Sequence, residues 1–389
     1  MNFSNKVAIS SVTEYDAEKI KDVLCAHFAA LGIDAARFCG KNVMIKPNLV
    51  MKKSPEGAAT THPAVIRALV EILNDMGITP VIAESPGGVY SAQRMDGFYR
   101  VCGIYDAVRG LDAVTNTDIS AEYVNFPEGK AVKSFHIISP AAHADVIFDV
   151  CKLKTHSLTA MSGAVKNLFG TVPGIEKFEM HAAHPDYDDF EEMICDLCAM
   201  HCGTRDVIAI TDAVVGMEGD GPTGGNPKKI GCIVTGENPF ATDLACEKIL
   251  GFSGVGTVEK SRLRGYIPES AGLLEYPFLR PDEVKIPDIV PAASKGTVSV
   301  SALKIFSGGA FGKILSPRPE IEKAKCRGCG ECMRSCPQHT IEMIKSKDKT
   351  VAHIKREKCI RCYCCQELCP FVAIKTKRNI ILRLVSELK

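Results

Sequence analysis

Two stretches of this 389-residue chain concentrate thiols: "CRGCGECMRSCP" at 326–337 and "CIRCYCCQELCP" at 359–370. Laid over each other they share Cys-x2-Cys-x2-Cys-x3-Cys-Pro and so form an internal repeat. That spacing suits four-thiolate ligation of [4Fe-4S] clusters, with the fourth cysteine of each run serving the cluster of the other. It assigns Cys326, Cys329, Cys332 and Cys369 to one cluster, and Cys359, Cys362, Cys365 and Cys336 to a second. Cys364 falls opposite Glu331, outside the pattern. Zinc knuckles or a disulfide framework are the competing readings. Zinc sites rarely need four cysteines so close together, and two copies in register, closed by Pro337 and Pro370, argue against both.

A second group of chemically capable residues lies in the first 300 positions, at the ends of apolar runs. "NVMIKP" (42–47), "PVIAES" (80–85), "ADVIFDVCKLK" (144–154), "DVIAIT" (206–211) and "IGCIVTG" (230–236) read as buried strands. Amphipathic stretches alternate with them: 62–77, closed by Gly77; a stretch through "YRVCGIYDAVRG"; 160–170; 187–202; and 239–251. This alternation is the signature of an α/β domain with a mostly parallel sheet flanked by helices, Rossmann-like in its layering. Ligands in such sheets bind outside the carboxyl ends of the strands. There the chain places Lys46 and Asn48, then Glu84, then Lys152, Lys154 and His156, then Asp212. With Lys166 they outline a locally positive site for a carboxylate or phosphate, served by the N-terminus of the helix expected at 160–170. The stretch "DAVVGMEGDGPTGG" (212–225), with Asp212, Glu218 and Asp220, is expected to be a flexible glycine-framed loop, either one that holds a divalent cation or closes as a lid, or an ordinary surface turn.

The domain boundaries expected are an α/β domain over 1–305, a linker over 306–321 and a small α+β, ferredoxin-like domain over 322–389. The formal charge of +1 hides an asymmetry. Residues 322–389 carry sixteen Lys and Arg against seven Asp and Glu, so they are net basic while the remainder is net acidic. Two oxidised clusters leave the tail at roughly +5. Such a surface favours an acidic redox partner, either a ferredoxin, a flavodoxin or a reductase, or else the chain's own larger domain. Nucleic acid is not expected, because no aromatic residues alternate with the basic ones. Eighteen cysteines and a start, "MNFSNKVAIS", without a secretory leader point to the cytoplasm of an anaerobe. No apolar run is long enough for a membrane span. Cys195, Cys198 and Cys202 share one helical face; a third metal site is one reading, a buried stripe flanked by Ile194 and Leu197 the plainer one.

Five blocks in order, "MIKPNLV" (44–50), "THP" (61–63), "CKLKTHSLTAMSGAVKNLFG" (151–170), "DAVVGMEGDGP" (212–222) and "GENPFATDLAC" (236–246), resemble the DUF362 family. The resemblance covers about residues 5–255, and many members similarly carry a fused two-cluster ferredoxin. It implies that Lys46, Asn48, His62, Lys154, His156, Lys166, Asn167 and Asp212 lie in recurring motifs, but it implies no settled activity. The segment "THPAVIRALVEILNDMGITPVIAE" is also similar to the nickel-dependent lactate racemase family, a likeness that bears on fold.

The leading reading is a ferredoxin-fused oxidoreductase with two [4Fe-4S] clusters. Lys46, Asn48, His62, Glu84, Lys152, Lys166, Asn167 and Glu218 are its expected binding residues for an anionic small molecule or a further cofactor of unknown identity. His156, Lys154 and Asp212 are its expected catalytic groups, with His156 as proton donor. The alternatives are an electron-transfer or scaffold subunit without catalysis, and a non-redox ligase or racemase with a ferredoxin appendage.

Overall fold

The computed structural model describes residues 3–295, 317–346 and 349–377. In the larger part the strands are β1 (Val7–Ser11), β2 (Val43–Pro47), β3 (Val81–Ile82), β4 (Val114–Thr115), β5 (Ala121–Asn125), β6 (Ser134–Ile138), β7 (Val146–His156), β8 (Ala160–Ser162), β9 (Asp206–Glu218) and β10 (Asn226–Gly236). β7 is buried along its whole length, as a strand covered on both faces must be. It is the centre of a sheet ordered β1-β10-β9-β7-β2-β3-β4, with the short β8 folded back on β7. β4, β3, β2, β7 and β9 run parallel, while β10 and β1 close one edge antiparallel. The α/β class with a mostly parallel, helix-flanked sheet therefore holds.

Side-chain alternation splits the core into two layers. Val43, Ile45, Val146, Phe148 and Val150 face the helices Ala17–Leu31 and Pro63–Asp75. Met44, Ile147 and Leu153 face the helices Tyr187–Thr204 and Pro239–Ile249. Pro63–Asp75 buries Val65, Ile66, Leu69, Val70, Ile72 and Leu73, each worth roughly 1.5–3 kcal/mol of transfer free energy. Its N-cap is His62, whose Nδ1 accepts the Ala64 N–H at 3.2 Å. Cys195 and Cys198 are fully buried in the second layer, and the Cys195 thiol donates to the Thr257 carbonyl at 3.5 Å. The helical thiol stripe is core packing.

Three expected elements differ. The strand at 80–85 shrinks to β3, because the chain turns away after Ile82 so that the Ser85 N–H donates to the Gly170 carbonyl. The expected helix at 160–170 opens instead as β8, since Ala160 takes a left-handed φ of 64° to return the chain from β7. Only Ala164–Asn167 is α-helical, and its buried first N–H groups are capped by Asp243, which accepts from Ala164 and Val165. Half of the flexible loop expected at 212–225 is strand: β9 runs on to Glu218 and pairs with β10, leaving a tight turn at 219–225. Neither β1 nor the β5–β6 hairpin was expected from the sequence.

The smaller part contains β11 (Arg318–Ile321), β12 (Ile341–Ser346), β13 (Lys349–Ile354) and β14 (Ile374–Lys377), paired β11 with β14 and β12 with β13. Its internal repeat extends to the backbone. Left-handed φ values recur at Gly328 and Arg361, at Gly330 and Tyr363, and at His339 and Val372, the same places in the two halves. Gly330 and Tyr363 each launch a one-turn helix, Glu331–Arg334 and Cys364–Glu367. Residues 306–316 of the expected linker lie outside the described residues.

Candidate functional site

The eight repeat cysteines gather around two cavities of the small domain. One is lined by Cys326, Cys329, Cys332 and Cys369. The other is lined by Cys336, Cys359, Cys362 and Cys365. Each set thus draws its fourth thiol from the opposite run. Among the described residues no three His, Cys, Asp or Glu side chains converge as a single metal ion would need. The thiols instead stand around a cavity, which is what a four-thiolate cluster requires of its donors. Backbone N–H groups are already aimed at three of the sulfurs: Ala352 at Cys326 (3.4 Å), Ala373 at Cys369 (3.3 Å) and Thr340 at Cys336 (3.3 Å). Such bonds stabilise thiolate charge and tune a cluster's potential. The donor set fits the group.

Cys364 is only 2 % exposed and belongs to neither cavity. It lines a third, a cleft between the strand ends of the sheet and the small domain. One wall is the helix Cys364–Glu367 with Leu368; the others carry Asn48, Lys154, Lys166, Asn167, Lys177 and His181. The small domain is held there by polar contacts. Thr223 Oγ1 donates to the Glu367 carbonyl (2.8 Å), Gln366 Nε2 to Ser157 Oγ (3.4 Å), and Tyr187 to the Arg361 carbonyl (3.4 Å).

Three lysines line the cleft, with Glu367 opposite them. Lys154, 1 % exposed, donates to Asn48 Oδ1 (2.9 Å) and the Ala59 carbonyl (2.6 Å). Burial brings its ammonium down to about 7, although the Glu367 carboxylate opposes the shift. Lys177, on the helix Glu176–Ala183, donates to the Ser85 and Val172 carbonyls, and burial likewise lowers it to about 7. Lys166 is half-buried, with its Nζ 5.9 Å from the Phe169 ring centroid. Among the described residues it has no hydrogen-bond or ion-pair partner. Burial lowers its pKa too, against the pull of Glu367. His181, stacked on Phe190 at 4.3 Å, is held neutral near 3 by burial and by Lys166.

An amide chain orients the floor. Asn48 Nδ2 donates to Asn167 Oδ1 (2.9 Å), and Asn167 Nδ2 donates to Asp149 Oδ1 (2.7 Å). Asp149 is fully buried on β7 opposite Lys46 of β2, and burial raises its carboxyl to about 8, with Lys46 opposing. Lys46 pairs with Glu84 directly behind Gly170, one layer beneath the cleft. A Cβ at Gly170 would collide with the Glu84 carboxylate, so this position needs glycine. Asp149 and Lys177 were missed in the sequence. A charged residue inside the apolar run "VIFDVC" is the signal that marks Asp149; Lys177 sits on a helix with no distinguishing pattern.

The remaining expected residues lie elsewhere. Lys152 pairs with Asp212 at 2.6 Å, with both side chains fully buried. Tyr15 donates to Asp212 Oδ1 (2.9 Å) and accepts from Lys152 (2.8 Å), while the His62 N–H donates to Asp212 Oδ2 (2.9 Å). The His62 ring stacks on Tyr15 at 3.5 Å, and burial lowers it to about 4. In this closed network every Lys152 donor is engaged, the third by the Val215 carbonyl at 3.1 Å. His156 closes the β7–β8 turn, its Nδ1 accepting from the Leu158 N–H (3.0 Å). It does not line the cleft, which removes the geometric basis for its role as proton donor. Glu218 accepts from the Val290 N–H (3.0 Å) at the far end of β9.

Residues 43–248 match the domain of unknown function DUF362, more than half of the chain, and the protein belongs to that family. Residues 319–376 match a 4Fe-4S dicluster domain, so the family fold is joined here to a ferredoxin-type iron-sulfur module suited to electron transfer. A protein of Synechocystis sp. described as thylakoid-associated is 27% identical over 259 residues, 64% of this chain and 78% of that one. Among solved structures, a structural-genomics protein of Thermotoga maritima is 15% identical with a TM-score of 0.38, over 61% of this chain and 60% of that one. The lactate racemase apoprotein of Thermoanaerobacterium thermosaccharolyticum is 15% identical with a TM-score of 0.36, over 62% and 56%. This chain therefore spans less than two thirds of either solved structure. Among the described residues no helix is long and apolar enough to cross a membrane.

Proposed function

We propose that this protein passes low-potential electrons to or from an anionic small molecule held in the cleft. Two [4Fe-4S] clusters, held by the eight repeat cysteines, supply one-electron transfer when bound. The observation that carries the reading is the wall shared by the two sites. The helix Cys364–Glu367 includes Cys365, which lines a cluster cavity, and presents Cys364 and Glu367 to the lysine-lined cleft.

The side chains of the cleft divide the work. Lys166, which has no hydrogen-bond or ion-pair partner among the described residues, is the primary grip on the anion, and Lys154 and Lys177 add charge from fixed positions. Ammonium groups near 7 can also give up a proton to a ligand as it is reduced, the task for which His156 is badly placed. The Asn48–Asn167–Asp149 chain keeps Lys154 pointed at the ligand. Leu368, Phe169 and Phe178 narrow the cleft and limit water around the bound anion. Eighteen cysteines, one cluster thiol of them exposed, suit a reducing cytoplasm and an anaerobic host.

The test is anaerobic purification followed by mass spectrometry of co-purifying small molecules, then titration of the reduced protein with each anion found. Reoxidation of the clusters in step with chemical change of the anion is the expected result. An anion that binds the cleft but leaves reduced clusters untouched would assign the chain to the non-catalytic class.

A further inference from the structure

The small domain meets solvent on a face opposite in character to the cleft wall. Of the eight repeat cysteines Cys329 alone is exposed. Two apolar side chains of the same domain stand open, Phe371 at 44 % and Met333, on the helix that follows Cys329, at 37 %. Pro370 and Phe371 line the same cavity as Cys329.

Cations collar this opening. Arg334 donates to the Cys329 carbonyl (3.1 Å), and Lys349 donates to the carbonyls of Ala324 (3.1 Å) and Cys326 (3.3 Å). Lys323, Lys325 and Arg327 are exposed along the same loop. Among the described residues two carboxylates pair with them: Glu322 with Lys325 (2.5 Å), and Glu331 with Arg334 (2.8 Å). Among the described residues the ion pair that crosses between the two parts has the reverse polarity, Arg94 of the larger with Glu331 of the smaller (3.9 Å).

We propose that this face is the docking site of a small acidic electron-carrier protein. An exposed apolar centre within a ring of one charge gives close contact at the middle and steering at the rim. The transfer is one electron out of the carrier and one into this protein, or the reverse, with no bond made or broken. The proposal rests on the electron-transfer reading of the small domain and is independent of what the cleft holds.

The experiment uses the cluster-loaded full chain and a purified acidic flavodoxin. Binding is measured by calorimetry and transfer by stopped-flow absorbance, at 20 and 200 mM salt. K323E/K325E reverses two charges on this face; K355E/K358E makes the same change near Cys359, beside the other cavity. The first variant should lose about tenfold or more in affinity and bimolecular rate at low salt, with a flatter salt dependence, as steering of this kind predicts. The second should change by less than about twofold, and iron content should hold in both. Equal losses in the two variants, or no loss in the first, would overturn the docking face. Should the first variant lose iron, M333S decides, because it leaves every charge in place: undiminished flavodoxin binding would reject the proposal. If dithionite reduces the protein but flavodoxin never binds, the docking face fails while electron transfer stands; if no iron is retained, both fail.

Discussion

Lys166 and Lys46 offer a contrast that separates a ligand-binding cation from a structural one. Lys46 is fully buried and paired with Glu84. Truncating it as Lys46→Met strands a buried carboxylate, which costs about 3–5 kcal/mol. Among the described residues Lys166 has no ion-pair partner, so Lys166→Gln removes from a half-dry cleft a charge that burial disfavours more than Glu367 supports it. Stability should then stay level or rise, by up to about 1 kcal/mol, since desolvation is no longer opposed. Binding moves the other way. A charge-assisted contact to an anion is worth roughly 1.5–3 kcal/mol, or about ten- to a hundredfold in Kd. The assay is anaerobic thermal denaturation of the loaded protein, alone and with inorganic phosphate, pyrophosphate or malonate, followed by calorimetric titration with whichever anion stabilises it. A melting temperature in Lys166→Gln as low as that of Lys46→Met, or an unchanged anion affinity, would refute the assignment.

Other outcomes follow from the same geometry. Reconstituted protein should hold about eight iron per chain, unchanged in Cys364→Ser and reduced by about half in Cys362→Ser, as measured by metal analysis and reduced-state EPR. Anion affinity should fall as pH rises from about 6 to 8, because Lys154 and Lys177 lose their protons near 7. Their folded pKa lies below the unfolded value, so the ligand-free protein should become more stable over the same rise; a calorimetric pH series checks both signs. Tyr15→Phe should destabilise the fold by about 1–3 kcal/mol, since it removes a buried donor from Asp212, yet leave anion affinity within about twofold.

The cluster ligands were legible because their chemistry is written in spacing along one run, and the repeat supplied the register. The cleft was legible only in part. Strand-end reasoning found Asn48, Lys154, Lys166 and Asn167 near one cleft, but it ignored strand parity. Lys46 and Asp149 project to one face of the sheet, whereas Lys152 and Asp212 project to the other, so the expected constellation divides. Asp212 was also placed at a strand end that the hairpin with β10 carries on to Glu218. Lys177 and Glu367 came to the cleft from elements distant in sequence, and such tertiary convergence leaves no local pattern.

The helix Cys364–Glu367 belongs to two sites at once, and that makes them thermodynamic partners. Ordering its turn around a cluster fixes a wall of the cleft, and filling the cleft fixes the turn. Any favourable coupling must act equally in both directions. A chelator should therefore strip iron more slowly from protein carrying its anion, and cluster-free protein should bind the anion more weakly by the same factor. The cell would then keep the oxygen-sensitive centre intact for as long as substrate is present, with no dedicated protective device.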